Sequence, residues 1–164
     1  MSTMGLLRNF CTSRLCKASK KGLLKNVKFF IEKGANINGN DRKNPLIIAI
    51  LNGKYGIAKY LIKNGADVNA KRLNWTPIHA AVERGNLEIV KFLIQNGANI
   101  NALAGCEHST PLHIAAAKKG NSEIIKFLLE NKPKYMKNSH GETPLQIAKT
   151  NKNHEYIMRI FCRT

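Results

Sequence analysis

The side chains able to do chemistry are few in this sequence, and their spacing is poor for it. Of five histidines, His79 and His113 occur in matching contexts, TPIHAA and TPLHIA, while His108, His140 and His154 stand singly. A helical zinc site of the H-E-x-x-H kind needs two histidines one turn apart with a carboxylate beside them, and that pattern is absent. Ser109 and Ser139 lie outside any G-x-S-x-G context, so no exposed nucleophile elbow is indicated. There is neither a G-x-x-x-x-G-K-[ST] phosphate loop nor a G-x-G-x-x-G turn. The ten carboxylates are too dispersed to nominate an acid/base pair. Cys11 and Cys16 form one loose pair, but Cys106 and Cys162 supply no second pair to complete a tetrahedron. No catalytic residue, metal ligand or cofactor is therefore assigned, and an enzyme is not expected. Four scattered thiols fit a reducing, cytoplasmic compartment.

Charge is the unusual quantity. The 27 Lys and Arg against 10 Asp and Glu give +17, which draws the chain toward polyanions or acidic proteins and says nothing about fold. Lys, Asn and Ile make up roughly a third of the residues; their codons are A/T-rich, so part of the basic character reflects the genome. Two rows recur at regular intervals. Lys28, Lys59, Lys91 and Lys126 should point outward, either as a solvated face or as an electrostatic track for a phosphate chain. Phe29, Tyr60, Phe92 and Phe127 follow one position later and are expected to pack in the core between neighbouring segments.

Those intervals lead back to the elements that would position such residues. The stretch NWTPIHAAVERGNLEIVKFLIQNGANINA, Asn74 to Ala102, is the clearest copy of a repeating unit. Pro45, Pro77, Pro111 and Pro144 each open a helix, where a missing N–H does no harm. Thr76, Thr110 and Thr143 precede three of them as N-caps. Gly22, Gly53, Gly85 and Gly120 close the first helix of successive copies, with Lys152 in the fifth; Gly34, Gly65 and Gly97, then Lys132, close the second. Two glycine series in register predict a solenoid of helix pairs.

TPIHAA and NGANINA resemble the TPLHxAA and xGADVNA of the ankyrin repeat. The resemblance implies an all-α solenoid of about five helix–turn–helix repeats joined by short β-hairpin-like loops, and a function in protein binding rather than catalysis. It also implies that His79 and His113 make structural hydrogen bonds around their turn. The Lys/Asn/Ile-rich, ankyrin-only make-up is similar in style to short ankyrin-repeat proteins of obligate intracellular bacteria, some of which act inside host cells, implying secretion into a host.

The expected divisions are a basic extension over 1–12 and repeats over 13–40, 41–70, 71–103, 104–137 and 138–164. The first repeat lacks the Thr-Pro opening and exposes Lys17, Lys20 and Lys21, as a terminal cap should; residues 4–12 extend its helix or add a short one. The N-terminal stretch carries no acidic residue before Glu32, a feature of transit peptides as well as of an ordinary basic helix. No apolar run is long enough to span a membrane. The second repeat has Ile47 in the histidine position, with Ile48 and Leu51 on the inner helix; these either tighten packing or form an apolar patch. The fourth has one extra residue between Pro111 and Gly120. The fifth repeat's second helix should carry Tyr156, Ile157, Ile160 and Phe161. Asn38, Asn69 and Asn101 are expected to hydrogen-bond their own loops.

Recognition belongs at the loop tips, which a rigid scaffold presents. The first tip carries Arg42 and Lys43 after Asp41; the second Lys71, Arg72, Leu73 and Trp75; the longer third Cys106, Glu107 and His108. Trp75 beside Arg72 has the make-up of an interface hot spot, or else packs along its own hairpin. Glu83, Arg84, Lys118 and Lys119 are expected to line the inner-helix surface. The chain is thus read as a monomeric module binding another protein, one with an acidic surface, through these residues; charge-driven binding of nucleic acid is the alternative.

Overall fold

The computed structural model describes residues 3–40 and 42–150. Among them the backbone forms α-helices joined by tight turns, and its only β pairing is three isolated bridges. The helices come as successive short pairs: α1 (Thr3–Lys21) with α2 (Leu24–Glu32), α3 (Pro45–Leu51) with α4 (Tyr55–Lys63), α5 (Pro77–Glu83) with α6 (Leu87–Gln95), and α7 (Pro111–Ala117) with α8 (Ser122–Glu130), followed by α9 (Pro144–Thr150). The chain divides into two compact units, 1–77 and 78–164. The second helix expected in the fifth repeat, with Tyr156, Ile157, Ile160 and Phe161, lies outside the described residues, as do Asp41, Lys152, His154 and Cys162.

In the first unit, α1 runs through residues 4–12, so the basic extension continues the first helix. Its inward face supplies Leu15 and Ala18, which meet Leu46, Ile47, Ala49 and Ile50 of α3 and Val27, Ile57, Ala58 and Leu61 of the second helices in one apolar core. Each large side chain so buried contributes about 1.5–3 kcal/mol. Lys17 and Asn26 are exposed where the third repeat has Ala80 and Ile89, both fully buried. The first repeat thus exposes polar residues at positions where the third buries apolar ones. Ser19, by contrast, is buried and its hydroxyl has no hydrogen-bond partner. The first hairpin needs Gly39: with φ +65, an added Cβ would fall 1.8 Å from the Lys43 carbonyl oxygen. Asn44 replaces the usual threonine and caps α3 by accepting the Ile47 N–H at 2.9 Å.

In the second unit, Ile78, Ala80, Ala81, Val82, Ile89, Val90 and Leu93 pack with Leu112, Ala115, Ala116, Ile124, Ile125, Leu128 and Ala148. The alanines of α7 let it approach α9 closely. Thr110 and His113 form a reciprocal capping box at the start of α7. The extra residue of the fourth repeat sits after α7, where Lys118 is extended (φ −106°, ψ 125°). Its effect is visible at Asn121. The equivalent Asn86 caps α6 by accepting the Ile89 N–H, whereas Asn121 makes no such cap and donates to the Val82 carbonyl at 3.2 Å.

Two expectations about the recurring rows need correction. Asn38 and Asn101 do not bind their own loops: Asn38 Oδ1 accepts the Asp67 N–H at 2.7 Å, and Asn101 Oδ1 accepts that of Lys134 at 2.7 Å. Each reaches the next repeat. The local turn is made two residues earlier, where Asn36, Asp67 and Asn99 accept the N–H groups of Asn38, Asn69 and Asn101. The aromatic row is likewise not core: Phe29 is 50% exposed and Tyr60, Phe92 and Phe127 are half-buried. The rings meet the lysine row instead. Lys28 Nζ lies 5.6 Å from the Tyr60 ring centroid and Lys91 Nζ 5.5 Å from that of Phe127. In these two pairs the lysine of one repeat covers the aromatic ring of the next, while smaller aliphatics fill the interior.

Candidate functional site

The tips in the first unit are two-residue turns. Asn40 pairs with Lys43 across the first and Arg72 with Trp75 across the second. The second closes through reciprocal bonds, Arg72 N–H to the Trp75 carbonyl at 2.8 Å and the reverse at 2.9 Å. Both central residues adopt left-handed backbone, Leu73 at φ 49° and Asn74 at φ 61°, as a hairpin turn of this length requires. Asn tolerates that conformation. Leucine there costs about 1–2 kcal/mol, and its side chain is nevertheless 64% exposed.

Arg42 and Lys43 are exposed and Arg72 and Trp75 half-buried. The Arg72 Nε donates to the Arg42 carbonyl oxygen at 3.0 Å, tying the second tip to the first. The structure therefore brings Arg42, Lys43, Arg72, Leu73 and Trp75 together. The base of this hairpin also differs from the later ones. In the third and fourth repeats a buried histidine clasps the next loop: His79 Nε2 donates to the Ala102 carbonyl at 3.0 Å and His113 Nε2 to that of Glu142 at 3.1 Å. The second repeat has Ile47, which is fully buried and has no donor to offer. Ile47 thus serves packing, with Ile48 and Leu51 half-buried beside it.

In the second unit the third tip spans Ala104 to Ser109, with Gly105 and His108 in left-handed conformation. Cys106, Glu107 and His108 are exposed, and all three are bound to one residue of the following loop. Ser139 donates its N–H to the Glu107 carbonyl at 2.8 Å and its hydroxyl to the Cys106 carbonyl at 3.0 Å. With the serine proton so placed, the 2.8 Å contact between His108 Nδ1 and Ser139 Oγ takes its hydrogen from the imidazole. The pair fastens two tips and is not poised as base and nucleophile. The sequence places Ser139 on a hairpin turn but does not show that it holds the preceding tip; the signal for that was its place in the loop one repeat after Cys106.

The four inner residues separate into two kinds. Lys118 and Glu83 pair with each other, Nζ to Oε1 at 3.0 Å, and the same ammonium donates to the Glu83 backbone carbonyl. Arg84 and Lys119 are exposed and remain available at the surface.

Burial governs the titrating groups. Desolvation lowers His79 from 6.5 to about 4, against the pull of its backbone bonds. It also lowers His113, opposed by the bond to Glu142 and by that residue's carboxylate. Both imidazoles are therefore neutral clasps at physiological pH. Cys16 is pushed up to about 11 by burial, with Lys43 and Arg72 pulling weakly the other way, so it stays an unreactive thiol. Among the described residues no group of three or more His, Cys, Asp or Glu is placed to hold a metal ion.

The threonine–proline cap, the clasping histidine and the paired helices recur together at the same offsets, and a family model described as ankyrin repeats (3 copies) matches residues 15–104. A second, described as ankyrin repeats (many copies), matches residues 93–148. The chain belongs to the ankyrin-repeat family. A comparison with curated proteins returns no match. Ankyrin repeats are in general protein–protein interaction modules and a non-enzymatic fold. No helix among the described residues of this ankyrin protein is long and apolar enough to cross a membrane.

Proposed function

We propose that this ankyrin protein binds another protein through its loop tips, with the first two tips as the primary surface. The observation that carries this is Leu73. An apolar side chain held 64% exposed on strained backbone (φ 49°) contributes little to the repeat's own packing, and an exposed strained residue at a tip points to recognition. Around it stand Arg42, Lys43, Lys71 and Arg72 with Trp75, so the fitting partner presents an apolar pocket rimmed by carboxylates. The second unit, taken by itself, presents Arg84 and Lys119 as exposed cations and Cys106, Glu107 and His108 at its exposed third tip. Glu83 and Lys118 support this surface by shaping the loop. The compositional likeness to short ankyrin proteins of intracellular bacteria supports seeking that partner in a host cell.

An affinity capture at moderate salt, comparing wild type with Leu73→Ser, Trp75→Ala and Arg72→Glu, tests the reading. A saturable partner retained by wild type and lost by the tip variants is expected; identical recovery by all four proteins sinks the assignment. The polyanion reading is favoured by the exposed Lys28, Lys91 and Lys126 on the outer helices. It predicts binding of any nucleic acid sequence with an affinity that falls steeply as salt rises, unchanged by Leu73→Ser.

A further inference from the structure

Helix α1 carries a surface that the repeat architecture does not use. Leu6, Phe10, Arg14, Lys17 and Lys21 are spaced four, four, three and four residues apart, so they fall on one line along the helix. All five are exposed. The line is apolar in its first half, where Leu6 is 56% and Phe10 54% exposed with Leu7 beside them at 60%, and wholly cationic in its second. The Arg14 guanidinium lies over the Phe10 ring at 5.0 Å, where the two halves meet. The opposite face, Cys11, Leu15 and Ala18, is already buried in the core.

We propose that α1 is a peripheral docking helix for an anionic phospholipid surface, with Leu6, Leu7 and Phe10 entering the boundary between headgroups and acyl chains and Arg14, Lys17 and Lys21 meeting the lipid phosphates. Charge complementarity identifies the occupant. The helix holds Arg8, Arg14, Lys17, Lys20 and Lys21, and no carboxylate occurs before Glu32; basic residues close to an anionic leaflet contribute about 1 kcal/mol each. The order along the axis fits a bilayer as well. At ~1.5 Å per residue, Leu6 and Arg14 are about 12 Å apart, and interfacial helices bury their apolar groups about 5–10 Å below the headgroups. An obliquely seated helix thus puts its apolar turns at acyl depth while its basic turns stay at phosphate depth. The stripe contains no amide, hydroxyl or acid to fix the register of a protein groove, and a fluid lipid surface requires none. Lys17 and Asn26, exposed where an inner repeat carries apolar residues, also disfavour stacking of a further repeat on this end. Membrane docking is independent of the tip-binding reading.

Vesicle flotation with the full chain tests this. The probes are phosphatidylcholine vesicles and phosphatidylcholine vesicles containing phosphatidylserine. Wild type is expected to float with the anionic vesicles and not with the neutral ones. Leu6→Gln/Phe10→Gln should weaken binding at least tenfold, Lys17→Glu/Lys21→Glu similarly, and Trp75→Ala not at all; because the changed side chains are exposed, thermal unfolding should match wild type. Failure of wild type to float with anionic vesicles overturns the proposal, including the case in which it binds an acidic protein instead. Equal flotation by Leu6→Gln/Phe10→Gln overturns it too, since binding would then rest on bulk charge without α1.

Discussion

Lys118 Nζ stands 3.0 Å from Glu83 Oε1, joining an extended residue after α7 to the end of α5. Both side chains are more than two-fifths exposed, at 42% and 44%, so solvent screens the attraction and the ion pair itself is worth only about 0.2–1 kcal/mol. For the proposed recognition its consequence is larger, because the pair neutralises one cation and one anion and leaves Arg84 and Lys119 as exposed charges beside it. A double-mutant cycle of Glu83→Gln and Lys118→Met in urea denaturation should give a coupling below about 1 kcal/mol. In the capture assay, Arg84→Glu and Lys119→Glu should each weaken partner binding more than Lys118→Met. If Lys118→Met is the most damaging of the three, the division between structural and available charge is wrong.

The asparagine bridges set the strength of the junction between adjacent repeats. Asn101 Oδ1 holds the Lys134 N–H, and truncation leaves that amide to water because Lys134 is exposed. Asn101→Ala should therefore destabilise by about 1 kcal/mol, in the range of an ordinary net hydrogen bond. Asn38→Ala, which releases the Asp67 N–H, should cost a similar amount. The informative readout is amide hydrogen exchange: Lys134 should lose protection in Asn101→Ala while Asn101 N–H, held by Asn99, keeps it. Loss of both together would mean that the asparagine orders its own loop first.

Lys132 occupies the position at which earlier repeats place Gly34, Gly65 and Gly97, and it adopts the same left-handed backbone, with φ 49° against 78°, 88° and 86°. A side chain in that region costs about 1–2 kcal/mol, part of which glycine returns to the more flexible unfolded chain. Lys132→Gly should consequently raise stability by about 0.5–1 kcal/mol, seen as a higher urea midpoint at an unchanged slope. Lys132→Val should lower it. An unchanged or lower midpoint for the glycine variant would remove the helix-cap account of this loop.

The histidine clasps make the second unit acid-sensitive. His79 titrates at about 4 in the folded chain, against 6.5 as its ordinary value, so between those values the unfolded chain binds the proton more readily. Stability is fully present above pH 6.5 and is lost as pH falls toward 4, by an amount on the order of 3 kcal/mol if the whole shift is realised. His113, also lowered, adds a loss of the same sign. His79→Gln should be less stable at pH 7.5 yet show a flatter decline on acidification. A wild-type midpoint constant from pH 7 to 4.5 would contradict neutral, desolvated clasps.

Much of this architecture was legible because it rests on residues with narrow conformational roles. Pro45, Pro77, Pro111 and Pro144 can open helices but not continue them, and the glycine series marks left-handed backbone that few other residues adopt. Tip residues such as Leu73 were legible as position but not as geometry, since a positive φ on leucine has no signature in its neighbours. Partner choice among polar groups was not legible at all. Asn36 and Asn38 have the same side chain in the same tail; one turns locally and the other spans 29 residues, a distinction set by where the next repeat stacks. The aromatic row failed for a related reason: helical periodicity places Phe127 on a face, but only the neighbouring repeat decides whether that face meets apolar chains or the Lys91 ammonium.

That last contact gives the lysine row a duty separable from polyanion binding. Lys91 is exposed and Phe127 half-buried, so the ammonium keeps most of its hydration while resting 5.5 Å from the ring centroid; such a contact is worth about 0.5–1 kcal/mol. Lys91→Met preserves the aliphatic stem and removes only the charge. Combined with Phe127→Leu in a double-mutant cycle, it should show a coupling of about 0.5 kcal/mol that shrinks as salt is raised. A polyanion track makes a different demand: Lys91→Met would leave stability unchanged and would lower the salt dependence of nucleic acid binding by about 0.9 per charge removed for a duplex. Measurable coupling with an unaltered salt slope is the expected result. The reverse pattern would assign the row to a phosphate backbone.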